Sequence, residues 1–201
     1  LPMLIVSSEN ERDTLGKGYG ELHEISDQAA VTRPLTGFNA VAQDVDGIPA
    51  LFAAAFESFQ TGRPRPAHIA VPIDLLASRT RGPWTPAAAA AARKPDEASI
   101  AAAAERVSTA DRPVICVGGG AVGAASQVLT LAERVDAPVL STHAGKGIVP
   151  STHPLNAGSS LHLGGGQSLL ADADVVIAIG TELAWTDSFV ERLPITGDVV
   201  R

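Results

Sequence analysis

The sequence has little of what several protein classes depend on. It contains one cysteine, which excludes a disulfide scaffold and a cysteine-based zinc site. No apolar run approaches the ~20 residues that a membrane helix needs. Lys and Arg number 15 against 22 Asp and Glu, and the resulting net charge of −7 argues against nucleic acid and anionic membranes as partners. We therefore expect a soluble protein, and nothing in the sequence argues against a cytoplasmic location.

Apolar residues, in contrast, are plentiful. They make up 45% of the chain while charged residues make up 18%, which predicts a packed globular core. Strand-like runs stand at both ends, at residues 1–6 and 198–201, with no polar lead-in. Buried parallel strands have this appearance in a sequence. We therefore expect the 201 residues to be part of a longer protein.

The pattern along the chain predicts two α/β units. Residues 1–76 hold a strand, a glycine-bearing loop, a helix at 48–61 and a strand at 67–71. Residues 77–97 are rich in Pro, Ala and Arg and predict a linker. In residues 98–201, strands and helices alternate, which predicts a doubly wound parallel sheet. Its strands are expected at 113–117, 138–140 and 174–180, and its helices at 100–108, 122–135 and 167–171.

A glycine-rich turn in the second unit offers one candidate ligand site. Gly118, Gly119 and Gly120 follow a strand and open a G-x-G-x-x-G pattern, a type of turn that can approach a pyrophosphate. A Rossmann NAD site also needs an acidic residue about 20 positions on, where this chain has Ser and Thr, so an NAD-dependent oxidoreductase is the weaker alternative. A second alternative is a binding module without chemistry of its own, in which these glycines, Thr142 and Lys146 hold FAD or ADP.

The remaining polar motifs indicate a cleft rather than a metal site. None of the five histidines has the i, i+4 spacing of a zinc motif. The loop after the first strand carries glycines at 16, 18 and 20, and then His23 and Glu24. Polar side chains at the carboxyl end of a parallel strand are well placed to contact a ligand. His23 and Glu24 are therefore the candidate substrate contacts.

Two stretches of sequence carry a family resemblance. Residues 62–74 read GRPRPAHIAVPID, and residues 112–120 read RPVICVGGG. Further matches follow in order at Ala137-Pro138-Val139, Gly145-Lys146-Gly147, His153-Pro154-Leu155, Gly158 and 172–180, DADVVIAIG. Together they resemble the thiamine-diphosphate-dependent enzymes, the group of acetolactate synthase and the 2-oxo acid decarboxylases. The resemblance makes residues 1–76 the C-terminal part of the pyrimidine-binding domain and residues 98–201 the central domain.

The resemblance implies a lyase or transferase that uses thiamine diphosphate and Mg²⁺ on a 2-oxo acid, assembled as a homodimer or homotetramer. It places the catalytic glutamate upstream of residue 1 and the magnesium-diphosphate site in a later domain, so the chain alone is expected to be inactive. In residues 181–187, TELAWTD, the arginine of flavin-binding relatives is missing, which argues against FAD. The Leu-His-Glu at 22–24 is more similar to decarboxylases of 2-oxo acids with a guanidino tail.

Overall fold

The computed structural model describes residues 1–85 and 95–201. The chain forms two compact units, Leu1–Lys94 and Pro95–Arg201. This division falls inside the segment predicted as a linker, whose alanine run at 87–92 lies outside the described residues. Among the described residues, no helix is both long and apolar enough to cross a membrane.

Unit 1 is built on a three-stranded parallel sheet in the order β1-β3-β2. The strands are β1 (Leu4–Glu9), β2 (Phe38–Val41) and β3 (Ala67–Pro72). The helices are α1 (Gln28–Thr32), α2 (Ile48–Ser58) and α3 (Ile73–Leu76), with a 3₁₀ turn at Arg33–Leu35. All residues of β3 are buried, because it is the central strand and pairs with both neighbours.

The two faces of the unit 1 sheet differ in chemistry. On one face, Ile69 and Val71 of β3 pack with Ala55 of α2 in an apolar cluster. The alternate side chains of β3 point to the other face, where His68 lies beside Asn39 of β2. This second face is partly polar, and α1 packs against it.

Unit 2 is a five-stranded parallel sheet in the order β6-β5-β4-β7-β8. The strands are β4 (Pro113–Val117), β5 (Val139–Ser141), β6 (Asn156–Gly158), β7 (Val175–Ile179) and β8 (Asp198–Val200). The helices are α4 (Glu97–Ser108), α5 (Ala125–Val135), α6 (Gly164–Asp172) and α7 (Trp185–Ser188), with 3₁₀ turns at Gly119–Ala124 and His143–Gly145. The predicted α/β class with parallel sheets is confirmed.

The central strand β4 is buried on both faces. Ile115 and Val117 belong to one apolar cluster, and Val114 and Cys116 belong to the other. Cys116 is fully buried, and the loss of solvent raises the pKa of its thiol to about 12. A thiol in this setting is a small apolar core residue and not a nucleophile.

Helix boundaries depart from the predicted ones for local reasons. Helix α4 starts three residues before the predicted position because the Asp96 side chain accepts a hydrogen bond from the backbone N–H of Ser99 at 2.9 Å. The predicted helix 122–135 divides into a 3₁₀ turn that contains glycines and the regular helix α5. The short strands β2 and β6 were not predicted, because runs of three or four residues carry little periodicity.

Candidate substrate cleft and glycine-rich turns

The loop between β1 and α1 folds over the carboxyl end of β1 and forms a small cleft. The cleft is narrow and opens to solvent. It is lined by Glu9, Asn10, Thr14, Leu15, Gly16, His23, Glu24, Ile25 and Gln28. Both residues predicted as substrate contacts, His23 and Glu24, therefore line one cleft. Gln28 also lines it, and so does Glu9, which sequence reasoning missed.

Glu24 holds the loop in its conformation. One carboxylate oxygen accepts the backbone N–H of Gly18 at 2.7 Å, and the other accepts those of Gly20 and Glu21 at 2.6 and 3.1 Å. Desolvation raises the pKa of Glu24, but the hydrogen bonds from Gly20, Glu21 and Gly18 outweigh it and the net pKa lies below its usual value. Successive N–H groups that converge on an anion form a nest, which here is filled by the chain's own carboxylate.

His23 adopts a backbone conformation that is uncommon for its residue type. Its φ is +63°, in the left-handed region, and its side chain is exposed. A non-glycine residue held in this region costs about 1 kcal/mol or more and often marks a functional position. The turn places the imidazole at the rim of the cleft, where it can contact a bound molecule.

Glu9, the last residue of β1, has a carboxylate oxygen without a partner. Its Oε2 is buried and forms no hydrogen bond. Desolvation raises the pKa of Glu9 above its usual value, Asp27 raises it further by charge repulsion, and the backbone N–H of Gln28 opposes them. A buried oxygen without a donor is costly, so it marks a position where a donor is expected to bind.

A network of hydrogen bonds fixes Gln28 beside Glu9. The Gln28 side-chain amide donates to Ser7 Oγ at 2.6 Å and to the Ser8 carbonyl at 3.1 Å. Ser7 Oγ in turn contacts Nε2 of His68 at 2.8 Å. Since both N–H groups of the Gln28 amide are used, only its oxygen is left to interact with the cleft.

Both ring nitrogens of His68 have a hydrogen-bonding partner. Thr32 Oγ1 lies 2.7 Å from Nδ1, and Ser7 Oγ lies 2.8 Å from Nε2. Thr32 Oγ1 also accepts a hydrogen bond from Asn39 Nδ2 at 2.7 Å. Burial lowers the pKa of His68, which favours the neutral ring.

In unit 2, the residues predicted to hold a nucleotide follow the carboxyl ends of two neighbouring strands, β4 and β5. The backbone N–H of Gly118 donates to the Ile179 carbonyl, and that of Gly120 donates to the Gly180 carbonyl, both at 3.0 Å. A Cβ on either Gly118 or Gly120 would come closer than 3.0 Å to Gly180. These two glycines thus allow two strand-end loops to pack directly, and their N–H groups are donors within the protein.

Thr142 and Lys146 flank the neighbouring turn. Thr142 is buried, and its hydroxyl caps the turn by accepting the backbone N–H of Gly145 at 3.2 Å. The Lys146 side chain is exposed. The described residues therefore give Thr142 and the glycines structural roles, and binding of FAD or ADP by Gly118, Gly119, Gly120, Thr142 and Lys146 stays a prediction.

Comparisons with known proteins assign the chain to a family. The model of the thiamine pyrophosphate enzyme central domain matches residues 100–198. Probable 2-ketoarginine decarboxylase AruI of Pseudomonas aeruginosa is 44% identical over 100% of this chain and 36% of its own length. The large subunit of acetolactate synthase isozyme 1 of Escherichia coli is 30% identical over 90% of this chain and 32% of its own length. The chain belongs to the thiamine-diphosphate-dependent enzymes.

A solved structure supports the fold of this thiamine-diphosphate enzyme chain. An X-ray structure from Mycobacterium smegmatis, whose name assigns it to the thiamin diphosphate-dependent enzymes, superposes with a TM-score of 0.81 at 21% identity. It covers 98% of this chain and 39% of the solved one. The chain thus spans about a third of the length of the curated relatives it matches.

The thiamine-diphosphate family implies a cofactor and Mg²⁺, and the described residues do not fit the metal. Within residues 1–85 and 95–201, no three His, Cys, Asp or Glu side chains group to hold a metal ion. A cation that carries a diphosphate needs such oxygen ligands together with the phosphates. The Glu9 oxygen without a partner does not by itself make a magnesium site.

Proposed function

We propose that this chain is part of a thiamine-diphosphate-dependent decarboxylase whose substrate is a 2-oxo acid with a guanidino tail. The observation that supports this most strongly is the 44% identity to 2-ketoarginine decarboxylase over the whole chain, against 30% to acetolactate synthase. When bound, thiamine diphosphate supplies the electron sink that stabilises the carbanion left by carbon dioxide. The family resemblance supports Mg²⁺, a cytoplasmic location and a homodimer or homotetramer for the complete protein.

The residues of this chain act on the substrate side of that reaction. His23, held at the rim of the cleft by its left-handed backbone, contacts the substrate. Glu24 lines the same cleft and keeps the loop closed by binding three backbone N–H groups. The role of Glu24 is therefore to position His23, whereas contact with the substrate falls to the imidazole.

The activity is tested on the complete product of the gene that encodes this chain. With thiamine diphosphate and Mg²⁺ we expect carbon dioxide release from 2-ketoarginine with kcat/KM at least about 30-fold above that for pyruvate, since loss of a charged contact costs 2 kcal/mol or more. Carbon dioxide and acetolactate are measured in parallel. Acetolactate formed from pyruvate as the main product would identify a synthase instead and contradict the proposal.

The isolated 201-residue chain is expected not to bind the cofactor. The resemblance places the catalytic glutamate and the magnesium-diphosphate ligands outside the chain, and the described residues hold no metal-binding cluster. Isothermal titration with thiamine diphosphate and Mg²⁺ should give no binding in the micromolar range, while the complete gene product serves as the positive control. A micromolar Kd for the chain alone would contradict this expectation.

A further inference from the structure

The acidic side chains around the cleft differ in whether they have partners. Glu21 accepts hydrogen bonds from Asn10 Nδ2 at 2.9 Å and from Thr14 Oγ1 at 2.8 Å. Glu24 is bound by three backbone N–H groups. Asp27 caps α1 through the N–H of Ala30 at 2.8 Å. Glu9 differs from these three, because its Oε2 is buried and has no partner.

The surroundings of Glu9 favour a ligand that donates hydrogen bonds and carries positive charge. None of the described residues that line the cleft is a lysine or an arginine. Two carboxylates line it, Glu9 and Glu24, and Asp27 acts on Glu9 by charge repulsion. The lining also includes the imidazole of His23, which is exposed. A cation bound at Glu9 would relieve both the repulsion and the missing hydrogen bond.

Gln28 adds a second acceptor that is fixed in place. Both of its amide N–H groups are used by Ser7 and Ser8, so its carbonyl oxygen is the part left to accept. Behind it, His68 is 2% exposed and hydrogen-bonded at both ring nitrogens, and this holds Ser7 and, through it, Gln28. The acceptor is therefore held by a chain of hydrogen bonds that ends at a buried histidine, and a preorganised binding site needs such support.

A guanidinium group matches this arrangement. It is planar, permanently charged and carries five N–H donors in a fixed fork, which suits a carboxylate oxygen and a neighbouring amide oxygen. We propose that Glu9, assisted by the Gln28 carbonyl oxygen, binds the guanidinium end of the 2-oxo acid substrate. This inference rests on the proposed function. It assigns recognition of the guanidino tail of the substrate to Glu9, at the end of β1.

The first experiment measures binding of the cation alone, apart from any catalysis. Propylguanidinium is titrated into the 201-residue chain while ¹³C NMR follows the carboxyl resonance of Glu9. We expect a saturable shift of that resonance and a fall in the pKa of Glu9, because the cation favours the ionised form. Propanol, of similar length and without charge, should leave the resonance in place. If propylguanidinium leaves the Glu9 resonance unmoved, the proposal is wrong. This measurement is made on the wild-type chain and needs no variant.

Variants then locate the site. Glu9→Gln keeps the size of the side chain and removes its charge, whereas Glu57→Gln makes the same change at an exposed position of α2. Amide shifts of the loop 10–28 on addition of propylguanidinium should be lost in Glu9→Gln and retained in Glu57→Gln. Equal loss in both variants, or retention in both, would contradict a site at Glu9.

The last experiment uses the complete gene product with thiamine diphosphate and Mg²⁺. We expect the ratio of kcat/KM for 2-ketoarginine to that for 2-oxohexanoate to fall at least about 30-fold in Glu9→Gln, and to be preserved in Glu57→Gln. A ratio that does not change in Glu9→Gln while the wild-type enzyme is active overturns this inference alone. If the wild-type enzyme decarboxylates neither acid, the proposed function fails, and guanidinium binding by the chain still decides whether the cation site exists.

Discussion

Replacing Gly180 with alanine should destabilise unit 2 by about 3 to 5 kcal/mol. Gly180 has a φ of +61°, where a side chain costs 1–2 kcal/mol, and its added Cβ would come closer than 3.0 Å to backbone atoms of Gly120 and Ala121. Backbone cannot rotate out of the way as a flexible side chain can. The two loops that follow β4 and β7 would have to separate, and the hydrogen bond from Gly120 to Gly180 would be lost.

Gly123→Ala is the matched control in the same segment of chain. A Cβ at Gly123 meets no atom within 4 Å, so this change should alter the free energy of unfolding by less than about 1 kcal/mol. Urea denaturation is followed by the fluorescence of Trp185 in a Trp84→Phe background, so that the signal comes from unit 2. Equal stability of the two glycine variants would show that the close packing of these loops does not contribute to the fold.

Replacing His68 with alanine should destabilise unit 1 by about 3 kcal/mol at neutral pH. The change leaves a cavity in a site where His68 is 2% exposed, and it removes a hydrogen-bonding partner from both Ser7 and Thr32. His23→Ala is the control, since it removes the same side chain from an exposed position of the same unit and should cost less than about 1 kcal/mol. Urea denaturation followed by Trp84 fluorescence in a Trp185→Phe background measures both.

The same substitution should also change how stability depends on pH. Burial lowers the pKa of His68 in the folded state below the usual value of 6.5. Above that value the ring is neutral in both the folded and the unfolded state, so His68 does not make the free energy of unfolding depend on pH. As the pH falls through 6.5, the unfolded chain takes up a proton that the folded chain does not, and the free energy of unfolding decreases by up to about 1.4 kcal/mol per pH unit.

Measurements between pH 7.5 and 5 test this dependence. In His68→Ala the decrease should be smaller than in the wild-type chain, because the group that takes up the proton is gone. Glu9, whose raised pKa acts in the opposite direction, is present in both proteins and cancels in the difference. An identical slope in the two proteins would mean that His68 is not held neutral, and ¹⁵N NMR of the ring would show its protonation directly.

Much of the fold follows from the order of apolar runs. Strands such as β4 and β7 lie in the sheet centre and are apolar on both faces, so they are visible in the sequence as continuous runs. Strands β2 and β6 are short and lie at sheet edges, with an asparagine in each, and no periodicity reveals them. The start of α4 depends on the hydrogen bond that the Asp96 side chain accepts from Ser99, and the apolar periodicity of the sequence does not show this contact.

The cleft could be predicted only in part. His23 and Glu24 stand out because glycines surround them in a loop that follows a strand. Glu9 does not stand out, since it ends an apolar strand and its unpaired oxygen depends on how the loop folds back. Gln28 and His68 lie 40 residues apart in sequence and are linked through Ser7 of β1, which the pairing of β1 with β3 brings to His68. Such long-range partners are set by sheet register, which a single sequence does not display.

Because it is the chain's lone thiol and lies fully buried at the centre of β4, Cys116 can serve as a built-in reporter of unit 2 opening. A thiol reagent can reach it only when the sheet separates, so the labelling rate at a fixed pH gives the opening free energy of unit 2 without any added probe. Unit 1 has no cysteine and stays silent in that measurement. The opening of unit 2 can therefore be followed in the intact chain, with no contribution from unit 1.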